Sequence, residues 1–259
     1  MHTTDPIQPV ARGFAVLDTF LDDVEWLSNQ DISARTHLPK PTVSRLSQTL
    51  TALGYLTYCP RRRKYRLAVA ALSLGYAAVA DTAPPLPDVR PLMQRLADAN
   101  GACVALAGRD GLDMALLAAC HGVAAPAALG LRMSRRIPIA SSPMGWALLA
   151  CLHAHERNYL LDRMRPRHRR DEWMATQQKI ADAQAQIADK SYCLSNGDWM
   201  PGITVVAVPV AARQRQPLVL LCAGSTRTLT KATVEQTAAP GLLALAQHLL
   251  YMEDGGDAA

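Results

Sequence analysis

The chain has 259 residues, 49% of them apolar, with a net charge of +5, which leaves room for two domains of ordinary size on a mildly basic background. Six cysteines (59, 103, 120, 151, 193 and 222) form no CxxC pair and have no histidine at ligand spacing, which argues against a zinc site or a disulfide framework. The longest mostly apolar run, 67–80, is too short to span a bilayer, and the polar opening Met1–Pro9 is no signal peptide, so a cytoplasmic protein with reduced thiols, no membrane partner and no cofactor is expected.

Val10, Phe14, Leu17 and Leu21 recur at helical spacing and predict a first helix packed on its neighbours through that stripe. Ser28 reads as an N-cap with Asp31 in the acidic place of a capping box, and Leu27 and Ile32 form a hydrophobic staple. This second helix should run from Asn29 to about Thr36, with His37 at a left-handed turn. Pro41 suits the first position of a third helix, with Val43, Leu46, Leu50 and Leu53 inward and Thr42, Ser44, Arg45, Gln48 and Thr49 outward. Two strand-like pieces, 55–58 and 64–67, flank the basic turn Pro60–Arg63. The order is that of a winged helix-turn-helix.

Charge supports a nucleic-acid partner. Between Ile32 and Ala80 there is no acidic residue, while Arg35, Lys40, Arg45, Arg61, Arg62, Arg63, Lys64 and Arg66 are all positive. Thr42, Arg45 and Gln48 are placed to reach base edges in a major groove, and Lys40 and Ser44 to reach phosphates. Arg61, Arg62, Arg63 and Lys64 extend that surface to the wing, for phosphates or a neighbouring minor groove.

Further along, Ala70–Ala80 reads as a connecting helix, and the prolines at 84, 85, 87 and 91 mark a boundary near residue 82. The domains expected are therefore 1–68, a linker helix over 69–83, and 84–259. The third begins with a helix over Leu86–Ala99, followed by a hairpin turning at Gly108–Gly111. A helix follows from Ser141-Ser142-Pro143, then a long polar helix over Asp171–Lys190. Late strands at Ile203–Val210 and Pro217–Ala223 and a helix over Thr230–Met252 complete an α+β module, an antiparallel sheet with helical cover. The arginines at 157, 163, 165, 167, 169 and 170 form a second basic surface, read as solvated or subunit-facing.

This order of motifs resembles the IclR family of bacterial transcription regulators. The resemblance covers nearly the whole chain. It is strongest in Asp31–Leu46, Leu53–Leu56 and Tyr65–Leu67, and weaker over Ile139–Ala150, Pro201–Pro209 and Leu218–Ser225. It implies a winged-helix reader, a linker helix and a GAF-like domain that binds a small organic effector. It also implies a homodimer or dimer of dimers on palindromic operator DNA, controlling catabolic genes. Carried over by position, the effector site would comprise Ser142, Pro143 and Met144 after an Ile139-Ala140 strand, then Ser195, Val205, Cys222 and Gly224, with Asp198 at the mouth. Where several members place Asp, Cys and two Ser, this chain has Ser195, Val205, Cys222 and Gly224. That set suits a fairly apolar carboxylate, aromatic or otherwise hydrophobic.

Two other classes compete. An enzyme with a DNA-binding appendage would draw on Cys103, Cys151, Cys222 or Ser141 as nucleophile and His121, His153 or His155 as base, yet no nucleophile elbow, phosphate loop or metal triad accompanies them. A thiol redox sensor would need one activated cysteine, and nothing electropositive in the sequence singles one out.

Overall fold

The computed structural model describes residues 7–21, 25–71, 73–74, 86–126, 129–131, 136–211 and 216–254. Contacts divide the chain into two units, Met1–Asp81 and Thr82–Ala259. In the first, three helices, α1 (Gln8–Asp18), α2 (Asn29–Thr36) and α3 (Lys40–Ala52), precede a hairpin of β1 (Leu56–Cys59) and β2 (Lys64–Leu67). Val16, Phe20, Leu27, Ile32, Val43, Leu50, Leu56 and Tyr65 close their shared core.

Side-chain bonds set the local turns. The Ser28 hydroxyl accepts from Asp31 N (3.2 Å) and the Asp31 carboxylate accepts from Ser28 N (2.9 Å), the reciprocal capping box. At the far end Ser33 donates to the Leu38 carbonyl (2.6 Å), and Thr36 donates to Ile32 O (2.7 Å) and accepts from Leu38 N (3.3 Å). Between them His37 takes the left-handed conformation, φ 57°. These bonds fix the bend between α2 and α3.

Three sequence expectations are corrected in this unit. The inward face of α1 carries Val16, and Phe20 packs just beyond the helix end, whereas Val10 and Phe14 are 54% and 59% exposed. The helix offers two neighbouring apolar faces, roughly a quarter-turn apart at 3.6 residues per turn; the core centres on the other one, and Leu17 of the expected stripe packs against its edge, half-buried. Helix α3 begins at Lys40, so Pro41 falls in its second position. Its inward set includes Ser47, fully buried, while Leu53 has passed the last turn and is 63% exposed.

The second unit is a six-stranded antiparallel sheet of order β5-β4-β3-β8-β7-β6. Its strands are β3 (Cys103–Asp110), β4 (Asp113–His121), β5 (Arg136–Pro138), β6 (Cys193–Asn196), β7 (Ile203–Val210) and β8 (Leu218–Ser225). One face packs against α4 (Leu86–Asn100) and α8 (Ala239–Asp254), the latter entered through a π-helical turn over Val234–Ala238. The other face packs against α5 (Pro143–Cys151), α6 (Ala154–Met164) and α7 (Arg170–Lys190). Strands buried on both faces read as continuous apolar runs, as β7 and β8 do. The expected Ile139-Ala140 strand is instead a 3₁₀ turn, because pairing ends at Pro138. Of the expected linker helix, 69–71 and 73–74 are helical, and the rest, with the proposed boundary near 82, lies outside the described residues.

Candidate nucleic-acid interface and effector site

With Val43, Ser47 and Leu50 turned inward, the opposite side of α3 presents Lys40, Arg45, Gln48 and Thr49 exposed, and Thr42 and Ser44 half-buried. Thr49 spends its hydroxyl on Arg45 O (2.9 Å) within the helix. The exposed cations and amide thus lie together along one helix side.

The wing does not treat its arginines alike. All three are exposed on the turn, and Arg63 takes φ 52°. Arg62, however, lies with its guanidinium 5.3 Å from the centroid of Trp26, and Arg66 sits 5.2 Å from the same ring while approaching Glu25 (3.8 Å). Trp26 precedes Leu27, whose N–H and C=O pair with Tyr65 (2.9 and 2.8 Å). The indole therefore anchors one side of the hairpin. Lys64 is half-buried beside a cleft shared with Asp31 and Arg35. The Asp31 carboxyl is held below its ordinary 3.8, first by the Ser28 N–H, then by the Ser28 hydroxyl, with smaller help from Lys64 and Arg35. Trp26 carries no periodic or motif signal and was not among the sequence candidates.

In the second unit Ser142 caps α5, its Oγ accepting from Gly145 N at 3.2 Å. A side chain at Gly145 would strike the backbone of Ile139, so only glycine lets the helix start this close to the preceding turn. Pro143 and Met144 are buried in that first turn. Strand register gives the opposing wall: Ser195 pairs with Val205, Val205 with Ala223 and Ala223 with Cys103. Met144, Val205, Ala223, Cys103 and Cys193 all belong to the α5 side of the sheet, where Cys193 Sγ approaches the Pro143 carbonyl (3.6 Å). Ser195, 2% exposed, leaves its Oγ without a partner.

Cys222 and Gly224 do not join them. Because side chains alternate along a strand, the neighbours of Ala223 point the other way. Cys222 packs in the α4–α8 core, and a side chain at Gly224 would meet Leu229 and Ala102 there. Ala223, Cys103 and Cys193 share the face of Val205 and were not among the residues expected at the effector site; alternation counted from Val205 through the sheet register leads to the first two. Asp198 is exposed on the loop between β6 and β7, beside Trp199 and Met200, which pack on the α5 side.

The buried thiols are chemically quiet. Burial pushes Cys103, Cys193 and Cys222 up to about 12 and Cys151 up to about 11, and raises Cys120. Among the described residues no group of three or more His, Cys, Asp or Glu could hold a metal ion, and no helix is long and apolar enough to cross a membrane.

Comparison with known proteins matches residues 9–60 to the IclR helix-turn-helix domain and 80–250 to the C-terminal domain of the bacterial transcriptional regulator IclR. A relative, the HTH-type transcriptional regulator TsaQ1/TsaQ2 of Comamonas testosteroni, is 28% identical over 250 residues, 95% of this chain and 88% of the relative. An IclR family transcriptional regulator from Brucella abortus is 34% identical, with a TM-score of 0.61 over 95% of this chain and 92% of that one. An IclR homolog from Microbacterium hydrocarbonoxydans, solved in complex with 4-hydroxybenzoate, shares the fold at 22% identity, with a TM-score of 0.63 over 93% and 99% of the two chains.

Proposed function

The chain belongs to the IclR family of bacterial transcriptional regulators, and from that premise we propose that its affinity for operator DNA is set by a small organic acid held in its second unit. It is a DNA-binding regulator and not an enzyme, as its relatives are. The observation that carries the DNA reading is the exposed side of α3, Lys40, Arg45 and Gln48 with Thr42 and Ser44, in a stretch of chain without one acidic residue. In this reading α3 enters the major groove, Arg45 pairs with a guanine, and Arg61 and Arg63 neutralise phosphates. Lys64 and Arg62 shape the wing more than they touch DNA.

The effector lies between the first turn of α5 and the wall of Ser195, Val205, Ala223 and Cys103. The buried, unpartnered Ser195 hydroxyl supports this, since such a group costs stability unless something bonds to it. The apolar remainder of the wall favours an acid with a hydrophobic body, and a relative's complex with 4-hydroxybenzoate is in keeping with that class. Two reading heads are needed for the two halves of a palindrome, so the working form is a homodimer or a dimer of dimers. The ligand acts by preferring one arrangement of the two heads. Fluorescence anisotropy with the chain's own promoter DNA tests the whole reading. Arg45→Ala should level binding across base variants, and a bound acid should shift the curve; unchanged binding in both cases refutes it.

A further inference from the structure

Helix α1 keeps an apolar stripe that its own unit does not fill. Ile7, Val10, Phe14, Leu17 and Leu21 follow one another at spacings of three, four, three and four. Only Leu17 reaches the core, at its edge, while Ile7 (71%), Val10, Phe14 and Leu21 (39%) stay exposed. A single exposed apolar side chain is ordinary, but four along one helix side form a continuous patch of the kind that marks an interaction surface.

Gly13 is a second, independent sign. It lies in the middle of α1, one turn before Leu17, and a methyl group there would meet nothing within 4 Å. Glycine weakens a helix interior relative to alanine, and packing inside this unit does not require it. Close approach of another backbone does.

The pattern also says what covers the stripe. A three-four repeat keeps it narrow, as in helices that pair with a helix of the same repeat, whereas a helix laid on a globular core shows a broader face. Phe14 is the midpoint, so a two-fold axis passing beside it sets Phe14 on its own counterpart and aligns the rest of the two stripes. Between Ile7 and Leu17 the only charged residue is Arg12, half a turn of the helix away from the stripe, so two copies meet no like charge across the axis. Four partly exposed side chains of this size offer on the order of 400 Å² per copy, about half the roughly 800 Å² per partner of a freestanding interface. The seam is too small to join two copies unaided and takes effect where other contacts or the operator already hold them together.

We propose that α1 packs against α1 of a second copy, Phe14 on Phe14, and that this seam sets the spacing of the two reading units. This rests on the reading that two such units share one operator.

Disulfide cross-linking of the full chain tests this, in a Cys59→Ser background that removes a half-buried native thiol. With the chain's own promoter DNA present, Phe14→Cys forms a covalent dimer on oxidation, whereas Arg12→Cys, on the opposite side of α1, stays at the background level. In the otherwise native chain, Phe14→Glu sets like charges on the axis and weakens binding to the full operator by roughly 10-fold or more. Binding to a single half-site and the thermal midpoint stay unchanged, since the side chain is exposed. Where the midpoint falls, Val10→Glu carries the same comparison. The seam is overturned, with the DNA reading intact, by no dimer from Phe14→Cys, by equal yields from the two cysteines, or by operator binding that the glutamate leaves unchanged or weakens no more than half-site binding. Failure of the wild type to bind its promoter DNA overturns the DNA reading, and the seam with it.

Discussion

Replacing the wing arginines one at a time separates a cation that faces DNA from one that holds the wing. Each phosphate neutralised contributes about 0.9 to the slope of log affinity against log salt on duplex DNA. Over a fourfold rise in salt, from about 50 to about 200 mM, one such contact is worth about 3.5-fold in affinity. Arg61, exposed and free of the Trp26 ring, should lose that increment on Arg61→Ala. Arg62 lies on Trp26 together with Arg66, an arrangement worth about 0.5–1 kcal/mol per guanidinium at an exposed site. Arg62→Ala should therefore weaken binding through a looser wing, with the salt slope unchanged. Trp26→Leu frees Arg62 to reach a phosphate and should steepen the slope while lowering the stability of the first unit. Anisotropy titrations at four salt concentrations read all three. Equal slope losses in Arg61→Ala and Arg62→Ala would refute the argument.

Arg45→Ala should cost about 1–3 kcal/mol on the preferred operator and far less on sequences altered at the contacted base, read by competition binding. Ser28→Ala removes the cap of α2 and should cost about 1 kcal/mol in a urea titration. The pH dependence follows from Asp31. Its folded value is depressed, so its contribution is complete above the unfolded 3.8 and is lost as pH falls below that towards the folded value. The acid limb of the stability curve should flatten in Ser28→Ala, which removes the hydroxyl donor. Native protein at about pH 8 should be alkylated at the half-buried Cys59, while Cys103, Cys193 and Cys222, with thiols near 12, react only after unfolding. Mass spectrometry of labelled peptides reads this, and rapid native labelling of Cys103 would revive a redox role.

What the sequence disclosed was mostly local chemistry. Ser28 and Asp31 make their bonds across three residues, and His37 takes its turn from its neighbours, so the bend of the reading unit was legible without the fold. Facing directions were harder. Helix α1 has two apolar sides, and only the packing of α2 and α3 selects the one carrying Val16. In the second unit, apolar runs located β7 and β8, yet fully buried strands show no alternation to say which residues face α5. Cys222 and Gly224 were for that reason expected on the face of Val205, whereas the register puts Ala223 there and turns those two to the α4–α8 side. Strand β6 has four residues, too few to stand out. The contacts of Trp26 with Arg62 and of Lys179 with Trp146 join distant positions and emerge only once the chain is folded.

The sheet keeps two separate interiors. On one side, α4 and α8 close over Val104, Leu106, Val206, Val208, Leu220 and Cys222; on the other, the wall facing α5 carries the orphan hydroxyl and small side chains such as Ala223. With the effector on the α5 side, as proposed, ligand preference would be changed by exchanging residues on that side alone, with the structural load borne by its reverse. Laboratory conversion into a sensor for a new acid should begin at Ala223, Val205 and Ser195 and leave the α4–α8 interior untouched.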